Sequence, residues 1–253
     1  MKKVLLGSTA LLLSAGVAAA DVAVSGDGRM GIIDDFGDGD LEFTSRIRIA
    51  FSASGETDAG LSFGGSIRSD NSGGGASGTA GSVFVEGGFG KLSMGDVSGA
   101  AEAAVGDVSG VGLTGLGDVN EMIYLTNNTD VDATDFDDAG AFDVRPVALY
   151  EYSFGDGSIY LSASNPGGTY DIDDGGTGLA GDIDTLGIGA DYTFGNFTVA
   201  LGWETLDASG DVDLEADHIV AGVTAAFGDA TVKATYGDSS DLDLTQYMVS
   251  LDY

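Results

Sequence analysis

The sequence predicts an all-β protein, a closed antiparallel transmembrane β-barrel of about twelve strands. First, apolar and polar residues alternate over segments of about ten residues, the length at which a tilted strand crosses a bilayer. Second, the connections between these segments alternate between short and long. Third, every Lys and Arg beyond residue 20 falls in the polar phase of the alternation. A charged phase turned away from lipid indicates a barrel with a water-filled interior.

The first twenty residues have the composition of a secretory signal peptide. Lys2 and Lys3 precede an apolar run over 4–17, and Ala18, Ala19 and Ala20 form a small-residue cleavage site. The domain prediction is therefore a signal peptide at 1–20 followed by a barrel domain at 21–253. The chain has a net charge of −32 and lacks cysteine, which excludes disulfides and thiolate metal sites.

Each strand is justified by the same test, an outward phase of apolar residues beside an inward phase of polar ones. The outward residues run, in chain order, Val22 to Ile32, Leu41 to Phe51, Leu61 to Ile67, Val83 to Phe89, Leu92 and Met94, Ala148 to Phe154, Ile159 to Ala163, Leu186 to Phe194, Phe197 to Trp203, Ile219 to Phe227, Val232 to Tyr236, and Tyr247 to Tyr253. An even number of strands lets an antiparallel sheet close on itself without leaving an edge.

The connections assign the two ends of the barrel. Five are short, near Glu56–Asp58, Gly90, Gly155–Asp156, Gly195–Asn196 and Gly228–Asp229, and the six between them are longer. Short turns on one side and long loops on the other are typical of outer-membrane barrels, with the turns in the periplasm. Outward aromatic residues gather near the short turns, as an interfacial girdle would: Phe51, Phe63, Phe89, Phe154, Phe194, Phe197, Phe227 and Tyr253.

The third long loop, residues 97–143, is the candidate for the narrowest part of the channel. Loops longer than about 12–15 residues are usually functional, and this one opens with a short helical stretch at 99–104. Its predicted constriction acids are Glu102, Asp107, Asp118 and Glu121. They would face a basic wall of Arg29, Arg46, Arg48 and Arg68, which project inward from three adjacent strands. The opposed charges would create a transverse field that favours polar solutes.

The sequence leaves the role of these arginines open. The arginines could instead neutralise inward acids such as Asp27 and Glu42 or stiffen the wall. We expect Lys91, Arg145 and Lys233 to be interior charges away from the narrowest part.

Several segments resemble the general diffusion porins of Rhodobacter-like alphaproteobacteria. The resemblance is carried by SGDGRMGI (25–32), SRIRIAFSASGETDAGLSFGGSIR (45–68), GSVFVEGGFGKLSMGDVSGAAEA (81–103) and YTFGNFTVALGWE (192–204). It implies an outer-membrane porin for small hydrophilic solutes and ions, with a third loop folded inward against a basic wall. It also implies a homotrimer, surrounded by outer-membrane lipid and lipopolysaccharide, with no nucleic-acid partner. Family members usually have sixteen strands, whereas this chain has room for about twelve.

Three alternatives are kept. Acidic clusters, with Asp171, Asp173 and Asp174 as the candidate ligands, could hold calcium, although they lack the spacing of a calcium-binding loop; we otherwise expect no cofactor. An outer-membrane enzyme would need a dyad at His218, the only histidine, with Asp217 or Asp241. A soluble β-sandwich would expose polar residues where this chain has Leu, Ile and Phe.

Overall fold

The structure is a computed structural model that describes residues 21–33, 42–72, 75–78, 81–111, 119–126, 148–164, 168–172, 179–211 and 213–253. The predicted signal peptide, Asp118, Arg145, Asp173 and Asp174 lie outside these residues. The chain divides into two compact units, one ending at Lys91 and the other running from Leu92 to Tyr253.

The first unit is built from antiparallel strands. They are β1 (Asp21–Ile33), β2 (Glu42–Glu56), β3 (Ser62–Ser72), β4 (Gly75–Gly78) and β5 (Ser82–Gly87). β1 pairs with β2, β2 with β3, and β3 with both β4 and β5. A further strand, β6 (Gly90–Gly95), begins in the first unit and ends in the second.

The second unit combines one short helix with the remaining strands. These elements are α1 (Ala100–Val105), β7 (Ala148–Phe154), β8 (Gly157–Ala163), β9 (Gly168–Ile172), β10 (Leu179–Phe194), β11 (Phe197–Gly210), β12 (Leu214–Phe227), β13 (Ala230–Ser239) and β14 (Leu244–Asp252). Neighbours along the path β7-β8-β10-β11-β12-β13-β14 pair antiparallel, and β9 pairs with β10. Helix α1 is the helical stretch that the sequence predicted.

The predicted parity is confirmed in both units. Over residues 43–51 of β2, 181–194 of β10 and 197–204 of β11, exposed residues alternate with buried or half-buried ones at every second position. We call the phase that includes Leu201 and Val249 the outer face and the phase that includes Glu204 and His218 the inner face. Leu201 is 64% exposed and Val249 74% exposed, whereas Glu204 and His218 are fully buried. A water-facing sheet rarely presents so many large apolar residues side by side.

Aromatic residues cluster on the outer face beside the tight turns, as predicted. Phe194 stacks on Phe197 with ring centroids 5.9 Å apart, and Phe197 meets the edge of Phe227 at 6.1 Å. Phe63 differs because it is half-buried, and its ring lies over Gly55. The glycines of these turns adopt the left-handed backbone that a tight hairpin requires, with φ of 61° at Gly195 and 65° at Gly228.

The strands are longer than the alternation predicted. β11 runs to Gly210 and β12 starts at Leu214, so the connection expected to be long is only three residues, 211–213. Similarly, only 240–243 separate β13 from β14. The short strands β4 and β9 lie in segments predicted as loops. Ladder hydrogen bonds continue past the last outward apolar residue, because a strand beyond the hydrocarbon layer needs no apolar phase.

A small core fills the inner face of the second unit. Ala101 and Val105 of α1 pack with Met122 and Tyr124 of the same long loop, and with Ala200 and Val220 of the sheet. The core therefore joins the long loop to the inner face of β11 and β12.

Among the described residues, no helix has both the length and the apolar character needed to cross a bilayer.

Candidate functional site

Glycines on the inner face form a seat for helix α1. A Cβ added at Gly202 would lie 2.7 Å from the Cα of Ala101, and one added at Gly222 would lie 3.0 Å from the Val105 side chain. A Cβ at Gly189 would collide with the carbonyl oxygen of Ala100. Glycine inside a strand often marks such a close backbone approach. The alanine-rich helix lies close against the inner face because neither the helix nor the strands have bulky side chains at the contact.

Hydrogen bonds fix the two ends of the described loop segment. The backbone N–H of Ala100 donates to the Ser162 hydroxyl at 2.9 Å. The backbone N–H of Met122 donates to Oδ1 of Asp107 at 2.9 Å, which ties residues 119–126 to the stretch that follows α1. Ser109 also hydrogen-bonds the carboxylate of Asp252 near the chain end. The loop is thus held to the strands at Ser162 and Asp252, and its two described parts are held to each other at Asp107.

The strongest attachment is the carboxylate of Glu204 on β11. Its Oε1 accepts from the Leu125 N–H at 2.6 Å and lies 2.8 Å from Nδ1 of His218. Its Oε2 accepts from the N–H and hydroxyl of Thr126 at 3.2 Å and 2.6 Å. A carboxylate has about four acceptor positions, so this buried group is fully satisfied. Loss of one such partner ordinarily leaves a buried polar group without a hydrogen bond, which destabilises the folded protein.

A second attachment comes from Gln246 on β14. Its Oε1 accepts from the Ile123 N–H at 3.0 Å, and its Nε2 donates to the Ile123 carbonyl at 2.6 Å. The same Nε2 lies 3.5 Å from Nε2 of His218. Glu204, His218 and Gln246 therefore form a continuous polar line beneath residues 123–126.

Burial perturbs the ionisable groups of the loop. The pKa of Glu102 is raised to about 7, chiefly by burial and further by the charges of Asp107, Glu204 and Glu121. Its Oε2 has no hydrogen-bond partner among the described residues. Burial also raises the pKa of Asp107, although the bond from Met122 opposes the shift. Glu102 and Asp107 thus lie in the part of the loop that packs on the inner face of the second unit, and Glu121 is exposed on the same loop.

The predicted basic wall lies on one face of β1, β2 and β3. Asp70 bridges two of its members, since Oδ2 is 2.9 Å from Nε of Arg48 and Oδ1 is 2.8 Å from Nε of Arg68. Arg46 lies 3.7 Å from Asp27 and is the direct cross-strand neighbour of Arg29. The pairing with Asp27 supports the open alternative of local neutralisation for Arg46. Asp70, which bridges the other two arginines, was missed.

The expected partners of His218 are corrected. His218 has Glu204 as its partner rather than Asp217 or Asp241; Asp241 instead accepts a hydrogen bond from the backbone N–H of Asp217. Because His218 is fully buried, a solute has no access to it in this conformation. Lys233, expected away from the narrowest part, has its Nζ 3.2 Å from where a Cβ of Gly106 would lie, beside the loop.

The calcium prediction falls mostly outside the described residues. Asp171 belongs to β9, but its side chain is not among those described, and Asp173 and Asp174 lie beyond the strand. Elsewhere in the described part of the chain, no group of three or more acidic or histidine side chains is placed to hold a metal ion.

The residues missed from sequence carried a recognisable signal. Gly187, Gly189, Gly202 and Gly222 all occupy inner-face positions of successive long strands, where a glycine indicates close packing by another segment. Glu204 and His218 both fall in the inward phase, but their direct opposition depends on the register of β11 and β12. That register cannot be read without knowing where the intervening turn ends.

An antiparallel sheet with an apolar outer face, charged inner residues and a long loop packed on that inner face is the architecture of a membrane pore. The comparisons agree with this class. The chain matches the Gram-negative porin family over residues 7–253 and belongs to that family. It is 40% identical to the porin of Rhodobacter capsulatus over 238 residues, covering 91% of this chain and 72% of that protein.

Solved structures show the same fold. A porin structure refined at 1.8 Å resolution is 33% identical to this chain, with a TM-score of 0.67 and coverage of 91% of this chain and 76% of the other. A mutant of the Rh. blastica porin aligns with a TM-score of 0.50 at 19% identity, covering 92% of this chain and 90% of that one. The predicted family is thus confirmed, and with it the outer-membrane porin class.

Proposed function

We propose that this chain forms a water-filled channel through the outer membrane for passive diffusion of small hydrophilic solutes and ions. The main support is the asymmetry of the second unit. Its outer face presents bare apolar side chains suited to lipid, while its inner face carries α1 and residues 119–126 of the long loop. A segment packed on the inner face of a barrel narrows the water-filled passage without blocking the lipid contact.

In this proposal the twelve predicted strands close into a barrel whose short turns lie in the periplasm. Closure removes the unpaired edges that lipid cannot satisfy. A signal peptide at 1–20 would direct export and be cleaved, and lipopolysaccharide would surround the outer rim. Family resemblance supports a homotrimer.

The proposed selectivity comes from a charged constriction. Arg29, Arg46, Arg48 and Arg68 would supply the basic wall, and the acids of residues 97–143 the opposing charge. The bridge from Asp70 to Arg48 and Arg68 supports this role, because it holds two guanidinium groups in fixed positions on one face of β2 and β3. Fixed charges at a narrow point act on solutes more strongly than mobile ones, since the solute pays no cost for ordering them.

Conductance across planar lipid bilayers tests the channel. The full chain refolded into detergent and added to one side should give discrete conductance steps, and vesicles that contain it should swell in small neutral sugars. Absence of both, with protein shown to be inserted, would refute the proposal.

The arginine wall is tested by reversal potentials in a salt gradient. The double substitution Arg46→Ala and Arg48→Ala should shift the potential towards cations. Lys91→Gln is the matched control, because Lys91 lies over the Phe84 ring and was predicted to be away from the narrowest part. The double variant removes two positive charges and Lys91→Gln removes one, so a shift only twice as large in the double variant would mean that the effect reflects total charge and not a basic constriction.

A further inference from the structure

The two arginines that Asp70 bridges are held in a fixed arrangement. Asp70 is only 7% exposed, and its two carboxylate oxygens lie 2.9 Å from Nε of Arg48 and 2.8 Å from Nε of Arg68. Arg48 is the direct cross-strand partner of Asp70, whereas Arg68 lies opposite Ala50, one pair further along the same face. Both guanidinium groups therefore converge on one buried carboxylate, and neither can move away without losing a charge-assisted hydrogen bond.

This arrangement leaves hydrogen-bond donors accessible from water. Each bond to Asp70 uses one N–H of a guanidinium group that has five. The Arg48 side chain is 31% exposed and the Arg68 side chain 41% exposed, although the carboxylate that anchors them is buried. Ala50 has no side chain beyond Cβ, so the strand position opposite Arg68 leaves space beside the two guanidinium groups.

The local charge favours an anion. Arg48 and Arg68 carry two positive charges and Asp70 carries one negative charge, so the three together have a net charge of +1 in a chain whose net charge is −32. Asp27 is the cross-strand neighbour of Arg48 on β1, and its carboxylate lies 3.7 Å from Arg46, which balances its charge. An anion at Arg48 and Arg68 therefore meets a surplus of positive charge.

The residue type indicates which anion fits. All four cations of the predicted basic wall are arginines, and the described lysines, Lys91 and Lys233, lie on other strands. A guanidinium group matches the oxygens of a phosphate as a planar fork, whereas a lysine acts as a point charge. A terminal phosphate group presents three acceptor oxygens and up to two negative charges, so it can accept from two guanidinium groups at once.

We propose that Arg48 and Arg68, held by Asp70, form a binding subsite for phosphate-bearing solutes, which bind there transiently as they cross the channel. Because Asp70 already fixes both guanidinium groups, a solute spends little of its binding free energy on ordering them. The inference rests on the proposed channel function and names the class of solute that the basic wall retains.

Binding is tested on the full-length protein in detergent by calorimetric titration with inorganic phosphate at about pH 8, where phosphate is mainly a dianion. We expect one saturable site for which sulfate competes. Acetate and chloride should bind at least about tenfold more weakly, because neither can span both guanidinium groups through three oxygens.

Arg68→Lys keeps the positive charge but removes the planar fork, so phosphate should bind about tenfold more weakly. Arg48→Lys is the second variant and should show the same loss. Lys91→Gln is the matched control, since it removes a positive charge elsewhere and should bind phosphate as the unmodified protein does. Unchanged affinity in both arginine variants, or an equal loss in Lys91→Gln, would show that charge alone attracts phosphate and would overturn the subsite.

Planar bilayers separate this proposal from the channel itself. Rising phosphate should reduce the chloride conductance of the unmodified protein to a plateau, and Arg68→Lys should need about tenfold more phosphate for the same reduction. No conductance steps in any salt, with protein inserted, would refute the channel. Conductance steps that phosphate leaves unchanged at every concentration would leave the channel standing and refute the subsite.

Discussion

The carboxyl group of Glu102 makes the charge of the loop depend on pH near neutrality. Its pKa is raised to about 7, chiefly by burial and further by the charges of Asp107, Glu204 and Glu121, while a hydrogen bond with Ser98 opposes the shift. A group with this pKa is roughly one-tenth ionised at about pH 6 and roughly nine-tenths ionised at about pH 8. Almost one full negative charge therefore develops at the inner face of the second unit between about pH 6 and about pH 8.

The sign for loop docking follows from the same shift. The ordinary value of 4.5 applies when the loop leaves the wall, and about 7 applies when it is docked. Protonated Glu102 thus favours docking fully below pH 4.5, and this contribution is lost as pH rises through about 7. The difference corresponds to at most about 3 kcal/mol. The three hydrogen bonds that Glu204 accepts from Leu125 and Thr126 act against release of the loop when Glu102 is ionised.

Reversal potentials in a salt gradient measure the developing charge. The unmodified channel should become more cation-selective between about pH 6 and about pH 8, as the carboxylate forms. Glu102→Gln should lose this increase, because its amide occupies the same space and does not ionise. Vesicle swelling in neutral sugars, measured on the same variant, reports channel width independently of charge.

Glu121→Gln is the matched control for this prediction. It removes an exposed carboxylate from the same loop and should lower cation preference by the same amount at both pH values. If Glu102→Gln retained the full pH-dependent change, the assignment of a raised pKa at this buried position would be wrong.

Three other predictions follow from the wall and the seat. Gly202→Val should displace α1, since even a Cβ would lie 2.7 Å from Ala101, and overpacking of this kind typically costs about 1–3 kcal/mol; protease cleavage in the loop should rise, while Gly88→Ala, which has open space around it, should behave as the unmodified protein. Asp70→Asn should remove the negative charge shared by Arg48 and Arg68 and shift the reversal potential towards anions, and an unchanged potential would place this pair outside the ion path. A spin label at position 201, on the outer face, should report a lipid environment in vesicles, and an aqueous signal there would refute the assignment of the faces.

The strand pattern was predictable because it depends on local chemistry. A residue in a strand points opposite to its neighbours, so lipid on one side and polar groups on the other leave a period of two in the sequence. Parity at Leu201 and His218 followed from that rule alone. Strand ends did not follow from it, because near the ends of β11 and β12 the outward phase becomes polar while the buried inner phase holds Leu206, Ala208 and Ala216, so the pattern of apolar and polar residues reverses.

The attachment of the loop shows the opposite case. Its length and its acids mark it as functional, and its small residues predict the helix α1. Nothing local indicates that Glu204 is the group to which Leu125 and Thr126 bind. That contact joins segments nearly eighty residues apart, and only the packed structure brings them together.

The amino-acid sequence by itself determined the class of this protein: an antiparallel sheet with one apolar and one charged face, a long acidic loop and a porin-like pattern of turns. The tertiary structure decided which inner-face residues hold that loop. The face on which a residue lies and the position of a turn depend on neighbouring residues, so both can be predicted from local sequence. The attachment at Glu204 joins segments far apart in the sequence, and the seat of α1 depends on the absence of a Cβ at its glycines, so both exist only when the chain is folded.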